Sequence, residues 1–402
     1  MPGSNPDPVP GLAQAVETPP GMPIPDPDKP APASQEETQC FQFTGSGREY
    51  FRIWIVNLCL SIATLGVYSA WAKVRRLQYF HRNTRLSGAV FDFHGDPKAI
   101  LKGRLIGVAL LAAYHYAFGF SKIFGVAVVA FLLLTLPWMM RNALRFRLRN
   151  TSYRALRFNF GGSLSGAYRC YFPVVLLFVL PGLILAVDQT LIQWSGMSVL
   201  LYLLWPWLHA RIKRYQHDNL EYGASRATYT ASTGKFIKWY FYAMLIGLYA
   251  LPAAGVAMLA CALAIPVFRF LGVPMPSDLS PGFFILIFIF VAYAVYLLSI
   301  PYLQVRIYNL VWSSTVFPNV AIRSDLGSRD YIKLQTINSI LTLLTLGLYR
   351  PFAVVRAYRY RLAHTSLAAT GAFELLLSGK HQRQVGAGGD SVTDFLNFDL
   401  SW

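Results

Sequence analysis

Four arginines stand at matching places in this sequence: Arg75, Arg211, Arg306 and Arg356. The first three follow an aromatic residue by four positions (Trp71, Trp207, Tyr302), and Arg356 follows Phe352 at the same spacing. On a helix that spacing puts ring and guanidinium on one face. At a membrane surface the ring sits among headgroups while the guanidinium reaches for phosphate. Gathered together, the four would form a pocket for an anionic lipid headgroup or an anionic solute; taken singly, each anchors its own helix at the interface. A second copy of the pattern puts Asn142 at the matching position, with Arg141 beside it, which favours the plainer role. Asn57 and Asn338 lie inside apolar runs, where a buried amide needs a partner, so they either join segments or line a polar cavity. His115 is the ionisable group deepest in an apolar run and a candidate intramembrane site, although a neutral imidazole also serves as a hydrogen bond between helices.

Other chemistry is missing from the chain. There is no HExxH, GxSxG, P-loop or acidic cluster, so no catalytic residue, metal site or cofactor is indicated. Cys40, Cys59, Cys170 and Cys261 are scattered without a CxxC pair. "TGSGREYF" (44–51) has the look of a phosphate-binding turn before a helix, but a lone GxG is weak support for one.

The elements that carry these residues are those of a membrane protein. Hydrophobic residues make up 54% of the 402 and charged ones 14%, against roughly 25% charged in soluble domains; mean hydropathy is +0.40. Apolar stretches at 105–120, 123–140, 171–187, 195–210, 239–265 and 282–303 approach or exceed the roughly 20 residues that cross a bilayer. Residues 1–40 hold eleven prolines, six acidic residues and one lysine, and are expected to form a disordered tail. The tail therefore carries −5 of the overall +17, which leaves +22 for the remainder. Those cations flank the apolar runs, as in cytoplasmic loops, so the basic charge points to lipid rather than nucleic acid.

The chain also repeats itself. Laid over residues 331–366 without gaps, residues 50–85 match at twelve of 36 positions, including Asn57/Asn338, Thr64-Leu65-Gly66/Thr345-Leu346-Gly347 and Arg75/Arg356. Weaker copies lie at 136–162, 205–231 and 300–325, which gives five units of apolar helix, aromatic exit, Arg and a short alternating stretch. "AVFDFHG", "RFNFGG" and the terminal "FLNFDLSW" alternate with period two and predict short strands in a small cytoplasmic β layer. The expected domains are a tail (1–40), a repeat-built membrane domain (41–379) and a C-terminal tail (380–402) that ends in a strand.

The fold expected is a polytopic α-helical membrane protein with two open topologies. Either residues 53–72 and 334–352 cross, for eight spanning helices, or they re-enter, for six spans plus two short hairpins. Eight crossings place Arg356, Arg359 and Arg361 opposite the other basic connectors, against the positive-inside rule. Six spans keep the connectors and both termini cytoplasmic.

The phrases "FTGSGREYF", "TLGVYSAWAKVRRLQYF" and "NTRLSGAVFDFHGDPKAILKGR" resemble the YjgN-like family of bacterial inner-membrane proteins, defined by a domain of unknown function. The resemblance covers about residues 40–402 and is strongest over 41–105. It implies an inner-membrane location and brings no activity or site residues. The residues point to transport of a small or anionic solute or lipid, with a non-catalytic membrane scaffold as the alternative. The partners expected are the bilayer and its anionic headgroups.

Overall fold

The computed structural model describes residues 36–272 and 281–370. The strand expected at the terminal FLNFDLSW, the tail over most of its length and the side chain of Cys261 lie outside the described residues.

The order of elements is regular. Strands β1 (Glu36–Cys40) and β2 (Gln42–Phe43) lead into helices α1 (Gly47–Ala63) and α2 (Ser69–Arg82). Hairpin β3–β4 (Thr84–Leu86, Ala89–Phe93) leads to α3 (Pro97–Phe120) and α4 (Lys122–Arg149), then hairpin β5–β6 (Thr151–Tyr153, Leu156–Phe160). Next come α5 (Leu164–Val187), α6 (Ile192–Ser198) and α7 (Trp205–Asp218), followed by β7 (Leu220–Tyr222), β8 (Ser225–Arg226) and β9 (Thr228–Tyr229). Helices α8 (Thr233–Phe270) and α9 (Pro281–Ser313), hairpin β10–β11 (Thr315–Phe317, Val320–Ser324), α10 (Ser328–Leu344), α11 (Arg350–Ala363) and β12 (Thr365–Thr370) complete it. Strand β1 begins at Glu36, within the stretch read as tail.

Strand pairing follows the chain. One antiparallel sheet runs from β2 to β8 in sequence order, and the other runs β9, β10, β11, β12, β1. Only Phe41 separates β1 from β2, and only Ala227 separates β8 from β9. The first and last described strands meet where β1 pairs with β12, with Cys40 opposite Ser366. One contact recurs five times: a backbone N–H just past a strand donates to the carbonyl that caps a later helix. The pairs are Thr44–Asn83 (3.0 Å), His94–Asn150 (2.8 Å), Gly161–Asn219 (2.9 Å), Thr230–Ser314 (3.0 Å) and Asp325–His364 (3.1 Å). The Asn side chains at three of these caps reach back to the carbonyl four residues earlier, which ends the helix in a fixed way. The two-residue loops Ser87-Gly88 and Arg154-Ala155 have positive φ at both positions, as tight hairpins require. Inside the strands Leu86, Tyr153, Ala369, Phe41, Phe91, Phe158 and Tyr222 form one packed cluster.

The helices close in the same order. Each packs on the next, with α5 on α7, and α11 returns to α1, where Phe51 stacks on Phe352 at 5.5 Å. Among the described residues, Lys122–Arg149 and Leu164–Val187 are long and apolar enough to cross a membrane. The segments 53–72 and 334–352 instead turn back. At the first, Tyr79 near the end of α2 stacks on Tyr50 near the start of α1, and at the second Tyr360 stands over Tyr331. Both turns use the same contacts. Thr64 and Thr345 each donate from Oγ1 to the carbonyl four residues back at 2.7 Å and each accept from the N–H four residues on at 2.9 Å. Leu65 (φ 49°) and Leu346 (φ 50°) are followed by Gly66 and Gly347 at φ 91° and 93°, where a side chain is strained.

Candidate anionic-ligand site

Helix α2 places Arg75, Gln78, Tyr79 and Arg82 on one face by their spacing of three and four. Across from them α1 presents Arg52, Ile53 and Val56, and with Asn83 these residues line an open cleft of about 550 Å³. The cleft has a rigid floor. Tyr79 Oη accepts from Ser46 N–H and donates to Ser46 C=O, both at 2.8 Å. Burial is the main reason its phenol is pushed up to about 12. Ser46 and Glu49 form a capping box at the start of α1, so the "TGSG" turn is a helix cap, and its first N–H groups are already engaged. Arg82 holds Asp92 with Nε–Oδ1 at 2.8 Å and Nη2–Oδ2 at 3.4 Å. Burial raises the Asp92 carboxyl, but the hydrogen bonds from Arg82 and Phe93 N–H outweigh it and hold the group below its usual value. Arg52 and Arg75 are exposed; Arg75 lies 5.6 Å from the Tyr68 ring centre.

The four repeated arginines do not converge among the described residues. Arg211 stacks on Trp207 at 4.7 Å, and Arg306 on Trp239 at 4.7 Å and Tyr302 at 5.4 Å. Arg356 donates to Tyr349 Oη at 2.7 Å. Each stays with nearby aromatics, and Arg75 alone among them lines the cleft. Asn57 and Asn338 are buried at 7% and 2% exposure, and the Oδ1 of each lacks a hydrogen-bond partner. Asn338 Nδ2 reaches Ala353 C=O at 3.3 Å and so ties α10 to α11. His115 sits on an exposed face of α3 beside Tyr116.

A second polar region faces the inside of the helix ring, and sequence reasoning missed it. Tyr358 on α11 meets Thr84 Oγ1 at 3.0 Å, Tyr308 on α9 meets Thr365 Oγ1 at 3.4 Å, and His217 on α7 meets Thr315 Oγ1 at 2.9 Å. Each links one helix to the residue that follows the next inward helix. Lys213 (4% exposed), Gln216 and His217 occupy one buried face of α7. Burial, and then the nearby Arg147 cation, lowers the Lys213 ammonium to about 8. Burial, with Lys213 next, takes His217 down to about 3. Their spacing of three and four, turned away from Arg211 and Arg214, was the signal available in the sequence.

Over residues 38–395 the sequence matches the family described as "Bacterial protein of unknown function (DUF898)". It is 30% identical over 132 residues to "Inner membrane protein YjgN" of Escherichia coli (strain K12), covering 31% of this chain and 32% of the relative. The protein of the same name from Salmonella typhimurium (strain LT2) is 29% identical over 147 residues, 34% of this chain and 36% of the relative. The alignments thus span about a third of the curated relatives. No solved structure matches. The family match runs through both short hairpins, the cleft and every strand but the first two residues of β1, and on it the chain belongs to the DUF898 family of bacterial proteins.

Proposed function

We propose that this is a bacterial inner-membrane protein that binds the anionic headgroup of a bilayer lipid in the α1–α2 cleft, as a step in moving that lipid. The carrying observation is the cleft itself: the exposed Arg52 and Arg75 line a space of about 550 Å³ together with Arg82, which Asp92 holds, and the apolar Ile53 and Val56. Arginine forks suit phosphate, and the apolar wall suits the start of an acyl chain. The relatives named as inner membrane proteins support the location.

The membrane arrangement that fits this reading has five repeat units, six spanning helices and two hairpins that dip in and return. Arg104 on α3 bonds to Ser69 at the start of α2, so the first turn stands near the level of Arg104. From there α3 runs on through sixteen further residues, 105–120. Leu65 and Leu346, 96% and 94% exposed at the two tips, then meet acyl chains. All basic connectors and both termini face the cytoplasm.

The test is retention of phosphatidylglycerol against phosphatidylcholine by purified protein, measured by native mass spectrometry. Arg52→Gln with Arg75→Gln is expected to abolish the preference; an undiminished preference would overturn the reading. A scaffold role is favoured by one observation, the aromatic packing inside the strands. It predicts no headgroup preference in the unmodified protein.

A further inference from the structure

The cleft between α1 and α2 carries positive charge that its own walls do not balance. Arg82 is held by Asp92. Glu49, the other carboxylate close by, accepts from Tyr79 Oη at 3.2 Å and serves the capping box of α1. Arg52 and Arg75 remain exposed, and neither has an ion-pair partner among the described residues. Beside them Ile53 and the half-exposed Val56 form an apolar wall. What satisfies both surfaces is a ligand that is anionic and apolar at once.

The chain holds such a segment beyond its last described strand. From Gln384 to Trp402 there is no lysine or arginine, and Asp394 and Asp399 stand among Phe395, Phe398 and Trp402. Residues 1–35 are acidic too, but they contain no aromatic residue to meet the apolar wall. The distance is within reach. Thr370 pairs with Glu36, and Thr44 N–H donates to the carbonyl of Asn83, which lines the cleft. The extended chain from Glu36 to Thr44 covers at most about 29 Å, so Thr370 stands within about 40 Å of the cleft once a cross-strand step of about 5 Å is added at each end. From Thr370 to Asp394 the chain can span up to about 80 Å.

We infer that the segment 394–402 docks in the α1–α2 cleft, with its aspartates on Arg52 and Arg75 and its aromatic side chains on Ile53 and Val56, and so competes with the anionic ligand. Charge complementarity and reach carry the docking; the competition rests on the headgroup reading above. Exposed ion pairs are weak one by one, but a tethered segment meets the cleft within its own chain, where weak contacts suffice. Salt screens such pairs, so rising ionic strength releases the segment.

The experiment follows disulfide formation in the full chain in neutral detergent, with one cysteine in the cleft (Val56→Cys) and one in the segment (Phe398→Cys). Cys40, Cys59 and Cys261 are changed to Ala, and Cys170 stays because it is buried. Ile123→Cys with Phe398→Cys reports chance encounter, since Ile123 is exposed at the start of α4, the end away from the strands. The cleft pair is expected to close within one chain, and faster than this control. Asp394→Asn with Asp399→Asn, which touches no described residue, slows closure about fivefold, the contribution of two exposed ion pairs. Arg52→Gln with Arg75→Gln slows it equally. Equal rates in the two pairs, or no effect of the aspartates, overturns the docking. So does faster closure with Ile24→Cys in place of Phe398→Cys, or closure only between two chains, because the proline-rich tail or a second copy would then be the occupant. Phosphatidylglycerol retained in nanodiscs reads the competition separately, and is expected to rise about fivefold in Asp394→Asn with Asp399→Asn, the same two ion pairs. No rise, with the disulfide rates as expected, keeps the docking and overturns the headgroup reading.

Discussion

The hairpins α1–α2 and α10–α11 share a turn, a buried Asn and a returning path, yet they have diverged along the faces that line the cleft in the first. Arg52, Gln78, Arg82 and Asn83 of the first correspond to Lys333, Arg359, Ala363 and His364 of the second. What both copies keep is what the backbone needs: Thr for the two turn hydrogen bonds and Gly for the left-handed residue after them. What the first copy has at the place of Ala363 is Arg82, which lines the cleft while it holds Asp92. In the second copy Arg359 is committed to structure, since it donates to Gly45 C=O at 2.8 Å and so fastens α11 to the start of α1. Duplicated backbone and divergent lining are the contrast on which the proposed headgroup cleft of the first hairpin rests.

The largest expected break in this comparison is at His81, whose counterpart is Leu362. Burial, with Arg147 adding to it, takes His81 down to about 4, while its bond to Leu77 C=O and Asp92 pull the other way. Between about 4 and 6.5 the unfolded chain binds more protons than the folded one, so stability rises with pH across that window and is lost as pH falls. At pH 5 the loss is about 2 kcal/mol. His81→Leu is expected to raise the unfolding midpoint at pH 5 relative to the wild type and to leave the pH 7.5 midpoint near its starting value. An unchanged acid profile would remove His81 as the difference between the copies.

Next in size is ligand preference. Arg52→Gln with Arg75→Gln is expected to weaken phosphatidylglycerol binding about tenfold, or about 1.4 kcal/mol. Lys333→Gln with Arg356→Gln changes it by less than half as much on a logarithmic scale. Equal losses, read as lipid retained per protein in nanodisc exchange, would make the two hairpins equivalent binders.

The shared turn offers a sharper comparison. Gly66→Ala and Gly347→Ala meet no atom within 4 Å of the added methyl, so the cost is backbone strain alone. Each is expected to lower stability by about 1 kcal/mol, and the double change to add, measured as shifts in denaturation midpoint. A much larger loss at one turn would show that its tip packs on something besides acyl chains.

Much of this was readable in the sequence, because period and identity survive translation into structure. The twelve matches between 50–85 and 331–366 fall on two hairpins with matching hydrogen bonds, and "AVFDF" and "LRFNF" are strands. Other features depend on which helices become neighbours, which no local pattern records. The buried Lys213, Gln216 and His217 face of α7, for example, is defined only by its packing against α5 and α8. His115 drew attention as an ionisable residue in an apolar run, but the direction it faces is fixed by the packing of α3 on α2 and α4. Pairing of β1 with β12 joins residues from opposite ends of the chain, and Glu36–Cys40 carries no alternation strong enough to set it apart from the proline-rich stretch before it.

The smallest effect separates the two buried amides. Asn338 Nδ2 donates to Ala353 C=O on α11, whereas no comparable bond from Asn57 to α2 is present among the described residues. Asn338→Ala therefore removes a bond between helices, worth about 1 kcal/mol, and also relieves an Oδ1 that has no partner. Asn57→Ala removes an equally unsatisfied Oδ1 with less to lose, and its net effect lies closer to zero. Asn→Leu at each position sharpens the test. At 57 no such tie is lost and an unpartnered buried Oδ1 is removed, so stability is expected to hold or rise by a few tenths of a kcal/mol. At 338 the lost tie to Ala353 keeps the change destabilising. A loss at 57 equal to that at 338 would mean that Asn57 does hold α1 against α2, and that the two hairpins are alike in their interiors as well as in their turns.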